Sequence, residues 1–180
     1  MDEQISPYGK NPINNTGKVR IQHLREMKEQ GHKWAMLTNY DMCTAAIFEE
    51  SGIPVLLVGD SASNNIFGYD TSLPVTVDDL IPLMRAISRS TQRALVIADL
   101  SFGSYQGSPE QCFHTTALQA VKLEGGLEML PQVEKLVNAG IPVMSHIGFT
   151  PQAEHQLGGY RVQGKEDKGQ KLISSSSTPI

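Results

Sequence analysis

Apolar runs of strand length alternate along the chain with segments whose apolar positions recur every three or four residues. WAMLTNYD (34–41), VLLVGDS (55–61), ALVIADLS (94–101), AVKLEGG (120–126) and IPVMSHIGFT (141–150) read as five strands, each compact and bounded by turn formers. Between them lie helical patterns. Val19–Gln30 places Ile21, Leu24 and Met27 along one side and stops at Gly31, and Thr44–Ser51 is closed by Gly52. Asp78–Ser90 follows the turn LPVTVDD, Pro109–Gln119 begins after Ser108 as an N-cap, and Pro131–Asn138 runs to the stop at Gly140. Strands separated by helices make βαβ units, so the pattern predicts an α/β protein with a parallel sheet covered by helices.

In such sheets functional groups gather beyond the carboxyl ends of the strands, where loops vary while the sheet holds positions fixed. Three predicted strands offer polar groups there. Asp60 ends VLLVGDS, Asp99 ends the apolar part of ALVIADLS, and Lys122 and Glu124 lie two positions apart in AVKLEGG, which points both to one face. A lone acid at a strand end also suits a turn or cap. Carboxylates crowded on successive strands call for a cation, and magnesium fits because it takes oxygen ligands and is held by one or two protein carboxylates plus substrate oxygens. Lys122 then suits an anionic substrate, or an ion pair with Glu124 or a neighbouring acid. His146, on the fifth strand, suits either proton transfer or a structural hydrogen bond.

Composition narrows the field. The 180 residues suffice for one domain with a real core, and 39% hydrophobic with 19% charged residues suits a globular protein. A net charge of −4 supplies no basic stripe for nucleic acid. No run of about 18 apolar residues offers a membrane span. The N-terminus lacks the pattern of a secretory signal or organelle presequence, and the cysteine usage suits a reducing, cytoplasmic setting. Two cysteines, Cys43 and Cys112, form neither a CxxC pair nor a disulfide framework and read as small core residues. The glycines of EGG and LGGYRVQG match neither a dinucleotide fingerprint nor a phosphate loop.

The blocks LVGDS, GYDTSLPVT, RALVIADLSFGSYQGSPEQ, AVKLEGG, AGIPVMSHIGFTPQ and LGGYRVQG, in this order from about Val19 to Lys165, resemble ketopantoate hydroxymethyltransferase, also called 3-methyl-2-oxobutanoate hydroxymethyltransferase. The resemblance implies a (β/α)8 TIM barrel, of which this chain holds about five βα units, assembled as a homo-oligomer. It implies magnesium served by Asp60, Asp99 and, more remotely, Glu124. It assigns contacts with the keto acid to Asp60, Ser61, Asp99 and Lys122. The reaction implied joins a one-carbon unit from 5,10-methylenetetrahydrofolate to 3-methyl-2-oxobutanoate, giving 2-dehydropantoate on the way to pantothenate and coenzyme A. KLEGG and LGGYRVQG favour this family over other enzymes of the related phosphoenolpyruvate/isocitrate-lyase type of barrel.

Residues 1–18 are expected to form an N-terminal arm, 19–165 the partial barrel, and 166–180 a polar divergent tail. The segment between Asp99 and Lys122 is shorter than the family pattern, and the family's general base lies beyond Lys165, so its role passes to no residue here. The expected function is therefore the hydroxymethyltransferase. The alternative is a catalytically silent subunit associating with full-length copies.

Overall fold

The computed structural model of the protein describes residues 17–116, 120–159 and 162–164, so most of the expected arm and all of the expected 166–180 tail lie outside the described residues. Helix α1 (Ile21–Glu29) leads into strand β1 (Met36–Thr38), helix α2 (Met42–Glu50) and strand β2 (Val55–Val58). Short helix α3 (Ala62–Asn65), helix α4 (Val77–Ser90), strand β3 (Leu95–Asp99) and helix α5 (Pro109–Thr115) follow. Strand β4 (Val121–Glu124), helix α6 (Leu130–Asn138), strand β5 (Val143–His146) and helix α7 (Glu154–Leu157) complete the series. The strands hydrogen-bond in chain order in a five-stranded sheet, with β1–β2, β3–β4 and β4–β5 parallel, as the alternation of apolar runs and helices predicts.

The chain divides into two compact units, one of residues up to Val58 with Pro82–Ile97, the other of Gly59–Ile81 with the residues from Ala98 onward. In the first, β2 is buried along its whole length, as a continuous apolar run in a parallel sheet should be. Helix α2 starts two residues earlier than its sequence pattern suggests. Asp41, expected near a strand end, is its N-cap, accepting the Cys43 and Thr44 N–H groups at 2.8 Å each. Cys43 consequently sits in the first turn and is exposed, which corrects its reading as a core residue.

At the far end of α2 the Glu49 carboxylate accepts three successive backbone N–H groups, from Gln92 at 2.8 Å, Arg93 at 2.5 Å and Ala94 at 2.7 Å. Burial alone would raise its pKa, and these bonds together with the Arg93 charge hold it below the ordinary value. Glu49→Gln removes the charge and leaves at least one of those N–H groups without an acceptor. Hydrogen bonds to charged groups contribute about 1.5–3 kcal/mol, and a loss of that size is expected in urea unfolding near neutral pH. Because the Glu49 pKa is lowered by folding, its contribution is present above the unfolded value and disappears as the pH falls through the folded one. The variant should therefore converge on the wild type in acid, and a constant difference at every pH would contradict this account.

In the second unit the core is built from Leu100, Tyr105, Cys112, Val121, Leu123, Val133 and Leu136, all buried. Cys112 is thus the core residue the sequence suggested, and burial pushes its thiol up. Ser108 caps α5 by accepting the Gln111 N–H at 3.0 Å. The helix ends at Thr115, before the expected Gln119, and residues 117–119 lie outside the described residues. Val121 and Leu123 take one face of β4 into this core, which turns Lys122 and Glu124 to the other.

Candidate active site

Strand register builds the site. Asp99 lies opposite Lys122 across the β3–β4 ladder, and Glu124 opposite His146 across β4–β5. The Lys122 Nζ donates to Asp99 Oδ2 at 2.6 Å and reaches Glu124 Oε1 at 3.4 Å. Glu124 also meets His146 Nδ1 at 3.1 Å, while its Oε2 accepts the Gln152 N–H at 3.0 Å. Asp60, two residues past β2, donates its backbone N–H to Asp99 Oδ2 at 3.3 Å. Ser61 follows, half-buried at the start of α3, which its side chain does not cap.

Asp60, Asp99, Lys122 and Glu124 are all buried, and their charges decide one another's protonation. Burial pushes the Asp99 carboxyl up to about 7, with Lys122 opposing the rise and Asp60 adding to it. For Lys122 burial works against the charge, but the carboxylates of Asp99 and Glu124 outweigh it and hold the ammonium above its ordinary pKa. Burial would raise Glu124 too, yet His146, the Gln152 N–H and Lys122 keep it below the ordinary carboxylate value. Asp99 Oδ1 is buried with no hydrogen-bond partner.

The sequence-derived residues thus come together. Each acid has partners: Asp60 takes Gln152, Asp99 takes Lys122 and the Asp60 N–H, and Glu124 takes Lys122, His146 and the Gln152 N–H, but Asp99 Oδ1 has none. Among the described residues no three His, Cys, Asp or Glu side chains form a ready-made metal cluster. Two further members were not apparent in the sequence. The Tyr105 hydroxyl accepts the Glu124 N–H at 3.0 Å and donates to Gln152 Oε1 at 2.7 Å. Burial raises the Tyr105 pKa and keeps that hydroxyl a donor. Gln152 donates from Nε2 to Asp60 Oδ2 at 2.9 Å. Neither residue is an acid or base near neutral pH, so a search for titratable groups passes over both.

A parallel sheet carrying acids and a lysine at the carboxyl ends of its strands places the chain in the α/β class, with the site where parallel sheets and barrels of that class carry theirs. Solved structures agree at the level of the fold. Phosphonopyruvate hydrolase, in a complex with oxalate and Mg++, matches 88% of this chain and 69% of its own at a TM-score of 0.60 and 12% identity. 2,3-Dimethylmalate lyase, a PEP mutase/isocitrate lyase superfamily member, matches 69% and 52% at a TM-score of 0.50 and 18% identity.

The sequence is more specific: the ketopantoate hydroxymethyltransferase family model matches residues 18–178, and the chain belongs to that family. The match continues past Lys165, where the readable blocks end. The 3-methyl-2-oxobutanoate hydroxymethyltransferase of Nocardioides sp. is 56% identical over 97% of this chain and 64% of its own length. That of Saccharopolyspora erythraea is 57% identical over 97% of this chain and 61% of its own length. The chain therefore spans about three fifths of the curated relatives it matches. The Nocardioides alignment extends over 190 residues, more than this chain's 180, so that relative carries residues this chain lacks within the matched span.

Proposed function

We propose that this chain forms the metal- and keto-acid-binding part of a 3-methyl-2-oxobutanoate hydroxymethyltransferase. The substrate would be 3-methyl-2-oxobutanoate, the one-carbon donor 5,10-methylenetetrahydrofolate and the product 2-dehydropantoate. The relatives' names support the substrate, and the site supports the chemistry. The observation that carries the reading is the buried, unpartnered Asp99 Oδ1, on a carboxyl that bonds the Asp60 backbone N–H and feels the Asp60 charge. An oxygen so placed, on a carboxyl whose pKa is raised to about 7, lacks compensating positive charge on one side.

Hard oxygen donors with room for few protein ligands fit Mg2+, which keeps several waters and accepts substrate oxygens. Asp60 and Asp99 would hold it, with Glu124 behind them. Bound there, the metal would supply positive charge to stabilise an enolate of the keto acid. Lys122 retains its proton and acts as a fixed positive charge beside the substrate, not as a base. Glu124 helps hold Lys122 and His146 in place through its contacts with both. Ser61, next to Asp60, would bind the substrate carboxylate. The same reading places the protein in the cytoplasm as a homo-oligomer. Among the described residues no helix is long and apolar enough to cross a membrane.

Calorimetric titration of the protein with Mg2+, with and without 3-methyl-2-oxobutanoate, tests this function. The keto acid should strengthen Mg2+ binding roughly tenfold, within the usual range for coupled sites. Absence of Mg2+ binding, or equal affinity in both titrations, would overturn the reading.

A further inference from the structure

Gln152 lies in the 3-10 turn Pro151–Ala153 that follows β5, and it is 6% exposed. Every polar group of its side chain is used. Nε2 donates to Asp60 Oδ2 and to the Leu100 carbonyl, each at 2.9 Å. Oε1 accepts the Tyr105 hydroxyl at 2.7 Å and Gln106 Nε2 at 3.2 Å. These partners fix the orientation of the amide, because reversing it would set Oε1 against a carboxylate and a carbonyl and leave the tyrosine without an acceptor. The backbone N–H of the same residue holds Glu124 Oε2 at 3.0 Å. One residue after β5 thereby ties together Asp60 after β2, Leu100 after β3 and Glu124 at the end of β4.

We propose that Gln152 is the positioning residue for Asp60, fixing its carboxylate plane for the divalent cation; this rests on the magnesium reading given above. The terminal torsion of an aspartate is soft and broadly populated, so the carboxylate needs an external bond to hold one plane. Gln152 supplies that bond at Oδ2. It is not itself a ligand, since its only side-chain oxygen is occupied by Tyr105 and Gln106. Partners that orient metal ligands typically control metal affinity by about 10- to 100-fold.

Mn2+ serves as the probe, its free fraction followed by electron paramagnetic resonance in parallel with thermal unfolding. Gln152→Met should weaken Mn2+ binding about tenfold and alter the spectrum of the bound ion. Gln132→Met is the matched control. Gln132 is another buried amide, whose Nε2 bonds the Tyr105 carbonyl at 3.3 Å, and its replacement should leave Mn2+ affinity unchanged. Where the methionine variant fails to fold, Gln152→Asn keeps an amide in the network but withdraws it from Asp60 by one methylene, and the same loss is expected.

Wild-type affinity in a folded Gln152 variant, with binding weakened by Asp60→Asn, would overturn this role alone. Equal weakening by the Gln152 and Gln132 variants would also overturn it, as the mark of general packing. A wild-type chain that binds no Mn2+ would overturn the magnesium reading and this role together.

Discussion

Asp99→Asn is expected to abolish measurable Mg2+ binding, because it removes the charge from a carboxyl group whose Oδ1 is buried without a hydrogen-bond partner. It should also change how stability depends on pH. The ordinary aspartate value is about 3.9, whereas burial, with Asp60 nearby, pushes Asp99 up to about 7. Between those values the folded chain keeps a proton that the unfolded chain has released. The Asp99 contribution therefore costs stability as the pH rises through this window. Asn cannot ionise, so the variant lacks that slope, and it should gain on the wild type between about pH 4 and about pH 7. Calorimetry with Mg2+ and urea unfolding across that range test the two halves separately. Unchanged Mg2+ affinity would remove Asp99 as a ligand, and parallel stability curves would show that its carboxyl is not raised by folding.

The second large effect belongs to Lys122. Lys122→Met keeps the apolar stem and removes the ammonium that lies 2.6 Å from Asp99 and 3.4 Å from Glu124. Removing one member of a buried ion pair costs about 3–5 kcal/mol, because the other charge is left uncompensated. Here Asp99 can take up a proton, so the loss should be fullest above neutral pH and smaller below it. Added Mg2+ should restore part of the stability by supplying positive charge from the other side. Binding of 3-methyl-2-oxobutanoate, measured at saturating Mg2+, should weaken while Mg2+ affinity is largely retained, since an ammonium is no metal ligand. An unchanged dissociation constant for the keto acid would confine Lys122 to its ion pairs.

The alternation of apolar runs and helical patterns made the strands and the ends that matter readable. Asp60, Asp99, Lys122 and Glu124 stood out because each is a charge at the margin of an apolar stretch, and the spacing of Lys122 and Glu124 set them on one face. Local chemistry was harder to read. Asp41 looks like the end of a strand until its carboxylate is seen capping α2, and that cap turns Cys43 outward. Long-range partnership was legible only where opposite charges called for it, as in the pairing of Lys122 with Asp99, and not for neutral groups. Gln152 and Asp60 are 92 residues apart, and a neutral amide carries no signal of its own. Glu124 illustrates the difference between proximity and role: sequence groups it with the other acids, while the fold surrounds it with Lys122, His146 and Gln152.

The pairing of Asp99 with Lys122 also bears on how the chain finds its native alignment. Side chains repeat every two residues along a strand, so the hydrophobic face of β4 does not distinguish the observed alignment from one displaced by two positions. Such a slip would bring Leu123 opposite Ala98 in place of Val121, one aliphatic residue for another. It would also bring Glu124 opposite Asp99 in place of Lys122, setting two buried acids face to face where an acid and a base now meet. The charges at the strand ends therefore select one threading of β4 that its apolar residues leave degenerate, and a substitution that neutralises Lys122 would remove that selection during folding as well as the native ion pair.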